Sequence, residues 1–143
     1  MGIAIAVIFY AYIASTRLLT IEYSEADASF SAHKVMEYMI GDLRKSPQVI
    51  TANPQNITFW YQDLNNNGTV ESNETITYSW TGGTIDAVTK TIGGSSVILA
   101  NDILSFSLTY ETPSAVKLVK IVITAGKNNI LSTLESSVYL RNM

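Results

Sequence analysis

The chain has no cysteine, a single histidine and no cluster of basic residues. Without cysteine, disulfides, thiolate metal sites and cysteine nucleophiles are excluded, while the compartment stays open because an exported protein need not carry disulfides. His33 alone excludes a multi-histidine zinc site. Nine basic and twelve acidic side chains give 9 − 12 = −3, and with no basic block this argues against a nucleic-acid groove. A catalytic constellation is missing too. One histidine on a helix supports no Ser-His-Asp grouping, no phosphate-cradling glycine loop precedes a helix, and paired acids occur only in the Asn-rich segment 63–74, so no enzyme is expected.

What is present begins at residue 1. Residues 1–14 (MGIAIAVIFYAYIA) are an unbroken apolar run, about 21 Å long as a helix and shorter than the ~20 residues that cross a bilayer core. Beyond Arg17, which could snorkel, Leu18, Leu19 and Ile21 resume the apolar character, so a tilted anchor stays open. A signal peptide fits less well, because no basic region precedes the run and AYIAS is a poor cleavage site. The run passes into an amphipathic stretch, 24–45, with Ala26, Phe30, His33, Met36 and Ile40 on one side, then Met36, Met39, Ile40 and Leu43. Those spacings predict a helix with one apolar stripe. Glu22, Glu25 and Asp27 early and Arg44 and Lys45 late suit a helix dipole over that stretch, and Ser46-Pro47 supplies the stop.

After Pro54 the period changes to two. Ile57, Phe59 and Tyr61 alternate with polar neighbours or Trp60, as do Ile76, Tyr78 and Trp80, and Leu104, Phe106, Leu108 and Tyr110. Residues 116–124 read as a strand apolar on both faces, hence central and covered by the helix. A short strand is expected over 138–141, and an irregular hairpin over 84–92 and 97–99 around Gly93-Gly94. The fold class is α+β: a long N-terminal helix packed on an antiparallel sheet. The division is an apolar helical arm over 1–23 and a globular domain over 24–143, with its helix at 24–45 and its sheet over 55–143. At 143 residues one modest core is expected.

Between two of the strands lies DLNNNGTVESNE, residues 63–74, which fits a twelve-residue calcium loop. Asp63 takes position one, Asn65 three, Asn67 five, Gly68 six, the carbonyl of Thr69 seven, Glu71 nine and Glu74 twelve. The flanks are strands, so the helix opening of a calcium sensor is not available and a bound calcium would be structural. The competing reading is an Asn-rich turn, since Asn and Gly tolerate left-handed backbone. Asn56, Asn67 and Asn73 each begin an Asn-x-Thr triplet, a candidate glycosylation pattern.

The apolar arm, an amphipathic half ending in Asp42-Leu43-Arg44, an aromatic hairpin and a closing Leu140-Arg141-Asn142 resemble the type IV pilin and pseudopilin superfamily. Within it the likeness is to W-type minor pilins and J-type pseudopilins of type II secretion, whose C-terminal strand pair IVITAG (121–126) and SSVYLRN resemble. The resemblance implies a pilin-like fold and a structural subunit that assembles through its N-terminal helix. The arm would be stored in the inner membrane, then packed against itself or related pilins in a helical filament at the cell surface or in a periplasmic pseudopilus. Assembly residues under this reading are Ile3, Ile5, Val7, Ile8, Phe9, Tyr12 and Ile13. The alternative is a membrane-tethered, non-polymerising binding module with a calcium-stabilised hairpin. Phe9, Tyr10, Tyr12, Tyr23, Phe30 and Tyr38 recur along the helix as packing residues between arms, with electron conduction as a rival role. The family's basic leader, its Gly at the processing site and its acid five residues into the mature chain have no counterpart here. If Gly2 preceded the cut, Val7 would occupy the acid's position. Either the sequence starts about eight residues late or the subunit belongs to a class without that acid, and processing carries over to no numbered residue.

Overall fold

The computed structural model describes residues 2–83, 86–112 and 116–140, without the side chains of residues 2–7 and 86. Ile3, Ile5 and Val7 are thus expected assembly side chains that lie outside the described ones, and Arg141 and Asn142 lie outside the described residues.

One helix, α1 (Gly2–Leu43), runs through arm and amphipathic stretch alike. No proline interrupts its 42 residues, which extend about 63 Å at 1.5 Å per residue. It closes at Leu43, two residues before the expected end, as Lys45 N–H donates to Asp42 O and Ser46 N–H to Leu43 O, both at 3.1 Å. Pro47 disfavours helical backbone at Ser46, and the chain leaves the helix there. Continuity removes the expected dipole match of the acids but not of the bases. Glu22, Glu25 and Asp27 sit in the middle of α1, away from the terminal turns where the dipole acts, whereas Arg44, whose N–H still donates to Ile40 O, and Lys45 stand at the C-terminal end that favours cations.

Among the described residues, seven strands form one antiparallel sheet in sequential order, so the fold is α+β as expected: β1 (Gln48–Asn53), β2 (Asn56–Trp60), β3 (Thr75–Trp80), β4 (Asp86–Ile92), β5 (Ser95–Tyr110), β6 (Leu118–Lys127) and β7 (Ile130–Tyr139). A 3-10 turn, Ser72–Glu74, leads into β3. The anticipated hairpin around Gly93 and Gly94 is present, both glycines having positive φ. Its second limb runs on without a break into the strand expected at 104–110, making β5 16 residues long. β5 pairs with β4 in its first half and β6 in its second, with a register shift between Ile103 and Ser105 next to Asp102 at φ 61°. Such a bulge bends a strand and increases its twist. Here it turns two sheet halves into one curled surface, keeping Ile103 and Phe106 both inward.

Two expectations are corrected at the C-terminal end. β7 begins at Ile130, not 138, because Asn128 and Asn129 both adopt left-handed backbone (φ 51° and 66°) and close a two-residue hairpin. β6 lies next to the edge strand β7, not at the sheet centre; it is covered because α1 packs across β5, β6 and β7. β1 was expected by neither period nor motif, and its two buried-side positions are only half-buried.

The covered helix face is also different. Ala28, Ala32, Val35, Met36, Met39 and Leu43 face the sheet, whereas Ala26, Phe30 and His33 of the expected stripe are exposed. Ala28 and Ala32 are fully buried on the face that packs on the sheet, and bulk there would push the helix away. An Ala32→Leu chain, unfolded by urea in detergent, should therefore lose about 1–3 kcal/mol. Phe30→Ala should stay within about 0.5 kcal/mol, as for a surface position.

Candidate assembly surface and hairpin loop

The sheet begins to cover α1 at Ser24. Asn128 Nδ2 donates to Ser24 Oγ at 2.8 Å and Lys127 Nζ to Asp27 Oδ2 at 2.5 Å, so the β6–β7 turn grips the helix at that level. On the N-terminal side, Ile8, Phe9 and Tyr12 are 70, 63 and 67 % exposed. Ile13 is half-buried, and Tyr10, Leu18, Leu19, Ile21 and Tyr23 are exposed as well. Thr16, Thr20 and Ser24 each donate their hydroxyl at 2.9 Å to a carbonyl of the preceding turn, so this polar stripe is satisfied within the helix. It lines a cleft of about 330 Å³ with Arg17, Ile21, Asn128 and Ile130. Among the described residues, no helix is long and apolar enough to cross a membrane.

At the other end of α1, Asp42 joins a group that sequence reading missed. Its Oδ2 accepts from Lys90 Nζ and from Tyr78 Oη, each at 2.5 Å, and Lys90 lies 5.6 and 5.7 Å from the ring centres of Tyr38 and Tyr78. Lys90 and Asp42 side chains are 14 and 13 % exposed. Register puts Lys90 directly opposite Tyr78, on the inward face with Val88. The available signal was that alternation, which makes a lysine two residues from Val88 an inward one. Burial, then the hydrogen bond to Asp42 and its charge, push the Tyr78 hydroxyl well above the ordinary tyrosine range. The arrangement fastens the helix end to β3 and β4, and Tyr38 and Asp42 also line a surface cleft of about 440 Å³ with Glu37, Gly41 and Lys45.

The 63–74 loop is more ordered than a simple turn. Asp63 Oδ1 accepts from Asn67 N at 3.2 Å and its Oδ2 from Gly68 N at 2.8 Å. Asn65 Oδ1 accepts from Asn67 N at 3.1 Å. Asn67 Oδ1 accepts from Thr69 N and Oγ1 at 2.7 and 2.6 Å. Gly68 has φ +69°, a conformation that L side chains rarely adopt, and a Cβ there would meet nothing within 4 Å, so its backbone and not its space requires glycine. Glu71 Oε1 accepts from the side-chain amides of Asn65 and Asn67 at 3.1 and 2.8 Å. Glu74 stands apart at the base: it is 2 % exposed, and its Oε1 accepts from Leu64 N at 2.7 Å. Asp63, Asn65, Asn67, Thr69 and Glu71 are thus gathered by one hydrogen-bond network, with Glu74 tied to it through Leu64. Among the described residues, no group of three or more His, Cys, Asp or Glu is placed to hold a metal.

Comparison with protein-family models, curated proteins and solved structures returns no match for this chain.

Proposed function

We propose that this chain is a structural subunit of a type IV pilus-like or type II secretion pseudopilus filament, assembling through the N-terminal part of α1. The observation that carries this reading is the asymmetry of one helix. From Ser24 onward a single face is covered by sheet, while from Ile8 to Tyr23 large apolar side chains stand exposed around the axis. Contiguous exposed apolar surface of that extent marks a contact with other protein or with lipid. Burial of a large apolar side chain is worth roughly 1.5–3 kcal/mol, and several per subunit recur at every contact of a helical array. The inner membrane would hold the same surface before assembly, and the filament would stand at the cell surface or in the periplasm. Partners are further copies of this chain or related subunits.

The test is to purify the full chain in detergent, dilute the detergent away, and follow assembly by sedimentation and electron microscopy. Helical filaments are the expected product. A chain that stays monomeric in water would overturn the reading, and one that remains monomeric on vesicles without polymerising would be the tethered binding module instead.

A further inference from the structure

We infer that the 63–74 loop is a calcium site whose closing ligand is Glu74. The pattern of oxygen donors suits a hard cation: Asp63, Asn65, Asn67, the carbonyl of Thr69, Glu71 and Glu74 supply the six to eight oxygens that calcium takes. An independent observation points to a ligand. Among the described residues, Glu74 Oε2 is buried and has no hydrogen-bond partner, although Oε1 of the same carboxylate is engaged by Leu64 N in the loop's first limb. A carboxylate oxygen removed from water without a donor is disfavoured, and the ordinary remedy is a proton donor or a cation.

The loop's other oxygens are held in place by hydrogen bonds within the loop. The amides of Asn67 and Gly68 donate to the Asp63 carboxylate, and each carboxylate oxygen has a second lone pair free to meet a metal. The Asn65 carbonyl oxygen is anchored by a single amide in the same way, whereas the Asn67 carbonyl oxygen accepts from both Thr69 N and Thr69 Oγ1, and a cation would take the hydroxyl's place there. Glu71 is held by the neutral side-chain amides of Asn65 and Asn67, which a cation would replace as its partners. Three carboxylates and two neutral amides imply modest affinity, in the range of about 10⁻⁴ to 10⁻³ M seen in extracellular modules. Calcium is favoured over magnesium, which demands a tighter octahedron and sheds its waters reluctantly. The effect would be to clamp the β2–β3 connection and satisfy the carboxylate beneath it. This inference does not depend on assembly, because it is read on the unassembled chain.

The test uses the full chain, chelator-washed and kept in detergent. Terbium(III) should luminesce on excitation of Tyr61 and Trp60, which immediately precede the loop, and calcium should displace it while magnesium at the same concentration does not. Calcium at about ten times its Kd should raise the melting temperature by several degrees. Glu74→Gln should weaken calcium at least tenfold. Asp63→Asn, at a half-exposed position, should do the same without touching the core, and Glu135→Gln on β7 should leave binding unchanged. Unaltered melting at about 5 mM calcium, well above the expected affinity range, would overturn the site. So would an undiminished response in Asp63→Asn, or a Glu74→Gln chain that gains metal-free stability while the parent ignores calcium, since a proton would then be what Oε2 carries.

Discussion

An Ile8→Asp chain should fold normally and form no filaments. Ile8 is 70 % exposed and lies 16 residues before Ser24, where sheet first covers the helix, so it takes no part in the core of the globular part. In a filament, neighbouring helices would shut water away from that position. An ionised carboxylate there costs several kcal/mol unless it is paired or neutralised, and the cost recurs for every subunit added. Filament yield in sedimentation should fall to background, while circular dichroism and urea unfolding of the detergent-held chain match the parent. Ile8→Ala should be milder, losing only buried area, so a graded series Ile, Ala, Asp separates burial from charge. Normal filaments from Ile8→Asp would place the arm outside the interface and remove the basis for the assembly proposal.

Asp42→Ala should be strongly destabilising, at about 3–5 kcal/mol by urea unfolding, the range for removing one partner of a buried ion pair. The substitution leaves the Lys90 ammonium, largely buried, and the Tyr78 hydroxyl, fully buried, without their common acceptor. Lys90→Met should cost less, because Tyr78 still donates to Asp42. The pair Asp42→Leu with Lys90→Met should recover much of the loss, since two apolar side chains of similar volume leave no unpaired charge. The same site makes stability fall in alkali. Burial and the neighbouring carboxylate raise the Tyr78 hydroxyl above its ordinary value, and burial raises Tyr110 likewise. The deprotonated form is therefore disfavoured in the folded state. That contribution is fully present below a pH of about 10, the value for tyrosine in an unfolded chain, and is lost progressively as pH rises past it. Unfolding free energies measured at about pH 8 and about pH 11 should differ less for Tyr78→Phe than for the parent, with Tyr110 supplying the remainder.

The sequence alone was enough for the properties that short-range geometry decides. Period-two alternation identified Ile57, Phe59, Ile76, Tyr78, Phe106 and Leu108 as inward residues, and each is buried, whereas Leu104 of the same set is only half-buried because the register shift puts Ile103 inward instead. An uninterrupted run of helix formers ahead of Ser46-Pro47 was sufficient for one helix, because propensity and the proline stop act over a few residues. The turn within residues 63–74 was legible for the same reason, since residues that tolerate left-handed backbone are written along the chain, and Asn66 and Gly68 adopt it.

What tertiary structure decided was which surfaces meet. In α1 apolar side chains occur on every face, so periodicity could not choose between the stripe through Phe30 and His33 and the one through Ala28 and Ala32; the position of β5, β6 and β7 chose the second. The bend at Asp102, which lets β5 serve two sheet halves, follows from a register shift against distant partners. Lys90 became an anchor for Asp42 only because β4 pairs with β3 beneath the helix end, 48 residues away in sequence. The unpartnered Glu74 oxygen is likewise a consequence of burial, because whether a carboxylate meets water or protein is set by the packing of strands around it and not by its neighbours in the chain.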